Sequence, residues 1–208
     1  METHPSIQPP GQTLEGMHIA ILVTDGFEQV EFTEPKKALE EIGAMTKVIS
    51  SKRGKVQAFK HDTKADLFDV DLSFGEADPM DFDAVLLPGG VFNADQIRII
   101  PEAQRIVQSM HNHGKPIAVI CHAPWLLVSA GLVKGKTLTS WPSLQDDIRN
   151  AGATWVDKEV VVDGLWVSSR KPADLPVFNA KMIEVIHTTK DQHLKGTPDR
   201  NAVGIAGA

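Results

Sequence analysis

The sequence predicts an α/β fold, a mostly parallel central sheet with helices on both faces, and three observations carry that prediction. Short, nearly continuous apolar runs recur at His18–Val23, Phe82–Leu87 and Pro116–Ile120, the mark of strands buried on both faces. Segments of helical spacing separate these runs. The connections between them are short, and a strand–helix–strand alternation of this kind builds a parallel sheet covered by helices.

Taken in order, the first strand, His18–Val23, stops at Asp25-Gly26. From Val30 to Ile42, Phe32, Leu39 and Ile42 stand at roughly helical intervals, and Gly43 follows as a C-terminal cap. Thr46–Ser50 reads as the second strand. Between Gly54 and Gly75, short alternating pieces around Val56 and Leu67 fit either a hairpin or irregular structure. Phe82–Leu87 is closed by Pro88-Gly89-Gly90, which can neither continue a strand nor begin a helix and so forms a tight loop. Pro101–His113 has helix character and stops at Gly114. Pro116–Ile120 then runs directly into Cys121, and Ala123–Ala130 is helical with Pro124 in its first turn, where no N–H is needed. Val160–Val162 and Leu165–Val167 read as a hairpin turned by Asp163-Gly164. The last helix spans about Leu175–Ile186. The expected organisation is a flexible extension over 1–16, one α/β domain over 17–187, and a loose tail over 188–208.

With 208 residues, 42% of them hydrophobic, the chain can bury one substantial core. A formal charge of −6, with lysine and arginine scattered, gives no basic field for a phosphate backbone, so nucleic acid is not an expected partner. The polar segment Met1–Glu15 does not read as a signal peptide. No apolar run approaches the roughly 20 residues of a membrane span. One cysteine cannot form an intrachain disulfide, and a cytoplasmic location is expected by elimination.

In open α/β sheets, ligands bind beyond the carboxyl ends of the strands. Three such ends carry unusual residues: Gly26-Phe27-Glu28, Pro88-Gly89-Gly90 and Cys121-His122. A thiol at the start of a helix meets unpaired N–H groups that favour the thiolate and can lower its pKa into about 3.5–7.5. A strand, a cysteine, a histidine and then a helix also form the order of a nucleophile elbow. A lone cysteine behind four apolar residues is, taken by itself, more often a small core residue than a catalyst, but a core cysteine has no need of the neighbouring histidine and double-glycine loop. His111 and His113 stand two apart, point to different faces of a helix and have no third ligand nearby, so no metal is expected. The four tryptophans read as packing residues, with Trp141 a candidate to line the site. Pro88-Gly89-Gly90 lacks the lysine and spacing of a phosphate loop, and no cofactor is expected.

Val119-Ile120-Cys121-His122-Ala123-Pro124 resembles the A-I-C-H-G-P motif of the PfpI (intracellular protease I, general stress protein) family, within the class I glutamine amidotransferase-like superfamily. Matching pieces stand in order: Asp25–Glu31, Leu87–Gly90, Leu138–Pro142, Asn150–Ala153, and Glu159–Gly164 leading to Ser168-Ser169-Arg170. The similarity covers about Met17–Ile186 and implies a flavodoxin-like three-layer sandwich. It also implies that Cys121 is the nucleophile, His122 its neighbouring histidine, and Glu28 the carboxyl group hydrogen-bonded to the sulfur, with a pKa raised by burial and like charge. Asp95 is the best match to an acid that orients the histidine from a neighbouring subunit, so a homo-oligomer, a dimer or larger, is expected. The N–H groups of Gly90 and His122 are candidates for an oxyanion hole. Ala123 stands where the family usually has glycine, and its methyl is expected to narrow the site.

The activity implied is cofactor-independent and of the glyoxalase and protein-deglycase type, in which the thiolate adds to a small reactive aldehyde such as methylglyoxal in stress protection. A peptidase or amidase acting on peptides is the alternative on the same residues. A redox sensor whose thiolate is oxidised rather than turning over is a third reading. A glutamine amidotransferase is disfavoured, because neither His187 nor His193 is followed by a partner acid.

Overall fold

The computed structural model describes residues 13–196. In chain order the elements are β1 (His18–Leu22), β2 (Phe27–Glu28), α1 (Gln29–Glu41), β3 (Met45–Ser50), β4 (Gly54–Lys60), β5 (Thr63–Val70), β6 (Leu72–Ser73), β7 (Ala84–Leu87), α2 (Val91–Ile97), α3 (Pro101–Asn112), β8 (Ile117–Ile120), α4 (Pro124–Ser129), β9 (Thr137–Leu138), α5 (Gln145–Asn150), β10 (Thr154–Trp155), β11 (Val160–Asp163), β12 (Trp166–Ser169) and α6 (Leu175–Gly196). Seven strands form the central sheet in the order β11-β12-β8-β7-β1-β3-β6. Every pairing in it is parallel except β11 with β12.

The apolar runs read as doubly buried strands are packed that way. Because successive side chains of a strand point to opposite faces, Ile19 and Ile21 enter one core layer while Ala20 and Leu22 enter the other. β7 and β8 divide in the same manner, Leu86 and Ile120 to the first layer, Leu87 and Val119 to the second. Phe32 and Leu39 of α1 and Phe178 and Met182 of α6 cover the first face. Ile106 and Met110 of α3, Leu126 of α4 and Ile148 of α5 cover the second. The result is the three-layer, flavodoxin-like architecture.

Several local expectations are refined by packing. The segment after Gly54 is a hairpin, β4 against β5, and β2 joins it to make a separate three-stranded sheet. Asp163 pairs with Trp166, so the two turn residues are Gly164 and Leu165 rather than Asp163 and Gly164, and Gly164 takes the positive φ of 61°. Leu14 lies inside the stretch expected to be flexible, yet it is fully buried and its N–H donates to the Ile42 carbonyl. The last helix continues to Gly196, past the Ile186 at which the sequence pattern ends it. Residues 1–12 and 197–208 of the expected extension and tail lie outside the described residues. No helix among the described residues is long and apolar enough to cross a membrane.

Candidate active site

Cys121 follows the last residue of β8 directly. Its φ is 63°, one of only two non-glycine residues among those described with positive φ, a conformation that costs an L-residue about 1–2 kcal/mol. The turn is held on both sides of the sulfur-bearing residue: the Cys121 N–H donates to Ser169 O at 3.0 Å and the Trp141 N–H donates to Cys121 O at 2.9 Å. Sharp reversal at the strand end is what turns the thiol out of the β8 register and toward the carboxyl-end crevice.

Within that crevice, the three strand ends expected to converge do so. The N–H groups of Gly90 and His122 both hydrogen-bond the Cys121 sulfur. His122 Nδ1 lies 3.1 Å from the same sulfur. The imidazole stacks on Trp141, with ring centroids 5.6 Å apart, and meets the edge of Trp125. Desolvation by this packing lowers the His122 pKa to about 4, so the ring is neutral at neutral pH and is a weak base there.

The carboxyl group against the sulfur is Glu31, which corrects the assignment of that role to Glu28. Glu31, in the first turn of α1, is fully buried, and its carboxyl is hydrogen-bonded with Cys121 and accepts the Gly89 N–H at 3.0 Å. Oε1 is sealed from solvent with no N–H or O–H aimed at it, an arrangement a charged carboxylate tolerates poorly. Burial foremost, with the charge of Glu28 adding to it, raises the Glu31 pKa to about 8. Glu28 instead ends β2, where its Oε2 accepts the His61 N–H at 2.9 Å.

The acidified thiol expected from the helix start is also corrected. Cys121 is only 6% exposed, and burial followed by the Glu31 charge pushes its pKa up, while the N–H groups of Gly90 and His122 pull the other way. α4 spans only Pro124–Ser129, too short to supply the dipole that the expectation relied on. Two interacting groups of this kind titrate as a pair, and the pair rather than the isolated thiol sets when the nucleophile ionises.

Asp95 lies exposed on α2 and makes no hydrogen bond with His122 within the chain. Ala123 adopts right-handed helical geometry and its side chain packs in the second core layer, so its methyl occupies core rather than the site. A residue the sequence reading missed is Asn93, which is buried on α2. Its Nδ2 donates to the carbonyls of Pro88 and Gly89, and its Oδ1 accepts from the N–H and hydroxyl of Thr24. It thereby ties the double-glycine loop to the end of β1. An asparagine shortly after a tight glycine loop was the available signal. Among the described residues no three histidine, cysteine, aspartate or glutamate side chains group to hold a metal ion.

A family model described as DJ-1/PfpI matches residues 17–185. The chain belongs to the DJ-1/PfpI family. It is 44% identical over 171 residues to a deglycase of Thermococcus kodakarensis, covering 82% of this chain and 99% of that one. It is 40% identical over 173 residues to general stress protein 18 of Bacillus subtilis, covering 82% and 98%. Among solved structures, Drosophila melanogaster DJ-1beta superposes with a TM-score of 0.73 at 28% identity, covering 86% of this chain and 97% of that one. In this DJ-1/PfpI chain the single cysteine is at a strained strand end, in contact with a buried carboxyl, and the protein is a cysteine-nucleophile enzyme.

Proposed function

We propose that this protein is a cofactor-independent enzyme of the glyoxalase and deglycase type, acting on reactive aldehydes such as methylglyoxal or on their protein adducts, in the cytoplasm and as part of stress protection. The observation that carries this reading is the surroundings of one sulfur atom: Cys121 meets a proton-holding carboxyl, Glu31, and two backbone N–H donors, those of Gly90 and His122.

Cys121 attacks the aldehyde carbon as the thiolate, its proton released to solvent; a C–S bond forms as the C=O π bond opens, and the oxygen takes the Glu31 proton to give a hemithioacetal, leaving Glu31 as the carboxylate. The hydrogen on that carbon then leaves as a proton to the carboxylate and returns to the adjacent ketone carbon, while the hemithioacetal hydroxyl proton passes to the ketone oxygen, so that the sulfur-bearing carbon becomes a thioester and its neighbour a hydroxyl-bearing carbon. No outside oxidant is needed, because one carbon is oxidised as the other is reduced. Water cleaves the thioester, releasing the 2-hydroxy acid and the thiol. A carboxyl with a pKa of about 8 suits both giving and taking a proton near neutrality.

An amide makes a heavier demand, since its leaving amine must be protonated. Among the described residues no acid is hydrogen-bonded to the neutral His122, and Asp95, exposed on α2, would serve the histidine of a second copy of the chain. The peptidase reading therefore rests on a homo-oligomer, whereas the aldehyde reading is served by groups of one chain. Wild type and Cys121→Ala are compared on methylglyoxal, a glycated peptide and casein. Loss of aldehyde consumption in a folded variant is expected. A wild-type thiol that is oxidised by peroxide but turns over none of the three would overturn the proposal.

A further inference from the structure

The second non-glycine residue with positive φ among those described is His61, at 61°. It sits at the tip of the β4–β5 hairpin, between the paired residues Lys60 and Thr63. Its imidazole does not account for this conformation, since the side chain is 80% exposed. Its backbone does have a partner: the N–H donates to Glu28 Oε2 at 2.9 Å. Glu28 is buried, and its own N–H donates to the carbonyl of Gly89, the residue whose N–H is held by Glu31. The hairpin is fastened on its other side by Phe59 against Phe92 of α2, with ring centroids 5.6 Å apart. A cleft of about 520 Å³ opens where the hairpin tip meets α1, lined among others by Glu28, Gln29, Thr33, Lys60, His61 and Asp66.

We propose that His61 is a positioning residue for the reaction at Cys121: its backbone, held in the left-handed region, fixes one oxygen of Glu28 and leaves the other facing the cleft to accept a hydrogen bond from a hydroxyl or amine of the substrate. The proposal rests on the aldehyde or adduct activity for its substrate and on geometry for its mechanism. Of the two Glu28 oxygens only Oε2 has a hydrogen-bond partner among the described residues. The charged and titratable groups around that carboxylate are the His61 ring, with Nδ1 at 3.8 Å, Lys60 and Asp66 on the cleft wall, and Glu31 beneath. Strain concentrated in a non-glycine residue beside a site is a recurrent way of holding a group where the reaction needs it.

The test uses His61→Gly, which keeps both the N–H and the positive φ, His61→Pro, which removes both, and His61→Val, whose β-branched side chain resists positive φ while keeping the N–H. His61→Val decides the matter if the proline variant does not fold. Both disruptive variants should lose about tenfold or more in kcat/KM on methylglyoxal relative to His61→Gly, the scale expected when a positioned group is displaced. In a Glu28→Gln background the same changes should cost less than twofold further, because the group being positioned is already gone. A second readout is independent of turnover. Glu28 helps to hold the Glu31 proton, so the Glu31 carboxyl, followed by carbon-13 NMR and assigned with Glu31→Gln, should titrate at lower pH in His61→Pro, His61→Val and Glu28→Gln and stay in place in His61→Gly. Equal losses in both backgrounds, or an unmoved Glu31 titration in the disruptive variants, would overturn the positioning role. Absence of wild-type turnover would sink the proposed activity while leaving the Glu31 titration to decide this one.

Discussion

Glu31 raises the proton affinity of Cys121 both by its charge and by its hydrogen bond, while the thiol draws Glu31 the other way and burial dominates both. Replacing Glu31 by glutamine therefore separates two properties that usually move together. In Glu31→Gln the Cys121 thiol should be alkylated by iodoacetamide at lower pH than in wild type, because the opposing charge is gone. Turnover of methylglyoxal should nevertheless fall by about 10²–10⁴, the loss typical of a positioned proton carrier. A variant with wild-type turnover would remove Glu31 from the proton path.

The same residue predicts how stability depends on pH. The folded-state pKa of Glu31 is about 8 against a reference of 4.5, so the folded protein binds a proton that the unfolded chain has released anywhere between those values. Stability tied to this proton is fully present below about pH 4.5 and is lost as pH rises through about 8. Glu31→Gln should be stabilising relative to wild type at pH 9, on the order of a few kcal/mol, with the advantage shrinking toward pH 5. Urea denaturation at the two pH values measures it, and an advantage that grows toward acid would contradict the assignment.

Trp141 covers one face of His122. The indole stacks on the imidazole while itself 39% exposed, so it is a lid that excludes water from one face of the ring. Trp141→Ala should rehydrate the imidazolium and move the His122 titration from about 4 back toward 6.5. Proton–carbon NMR of the histidine Cε1 reports it. A titration still near 4 would assign the desolvation to Trp125 and the backbone instead.

Gly89 predicts where steric tolerance ends. A methyl at this position would meet Glu31 Oε2, and also Cys121 Cβ at 2.6 Å and Ile120 O at 2.9 Å. Overpacking of this kind costs about 1–3 kcal/mol, and here it also drives apart the carboxyl and the sulfur. Gly89→Ala should lose both stability and aldehyde turnover. Gly75→Ala, where nothing lies within 4 Å, should leave both within about 0.5 kcal/mol of wild type. Thermal unfolding and turnover of the two variants side by side provide the check.

The amino-acid order alone determined the strands at the centre of the sheet, because a strand buried on both faces announces itself as a continuous apolar run, as His18–Val23 and Pro116–Ile120 do, whereas the short strands β2, β6, β9 and β10 carry no such run. It also determined that Cys121 stands at a strand end beside a double-glycine loop, since those breaks are local chemistry. It did not choose between Glu28 and Glu31. They are three residues apart across a strand-to-helix boundary, Glu28 extended at φ −69° and ψ 116° and Glu31 inside the first helical turn. Which of them faces the sulfur follows from how α1 seats against the Gly89 backbone, a contact made 58 residues away in the chain. The proton affinities of Cys121, Glu31 and His122 belong to the tertiary structure for the same reason. Desolvation is the first cause of all three shifts, and it is set by every layer of atoms between a group and water rather than by its neighbours in sequence.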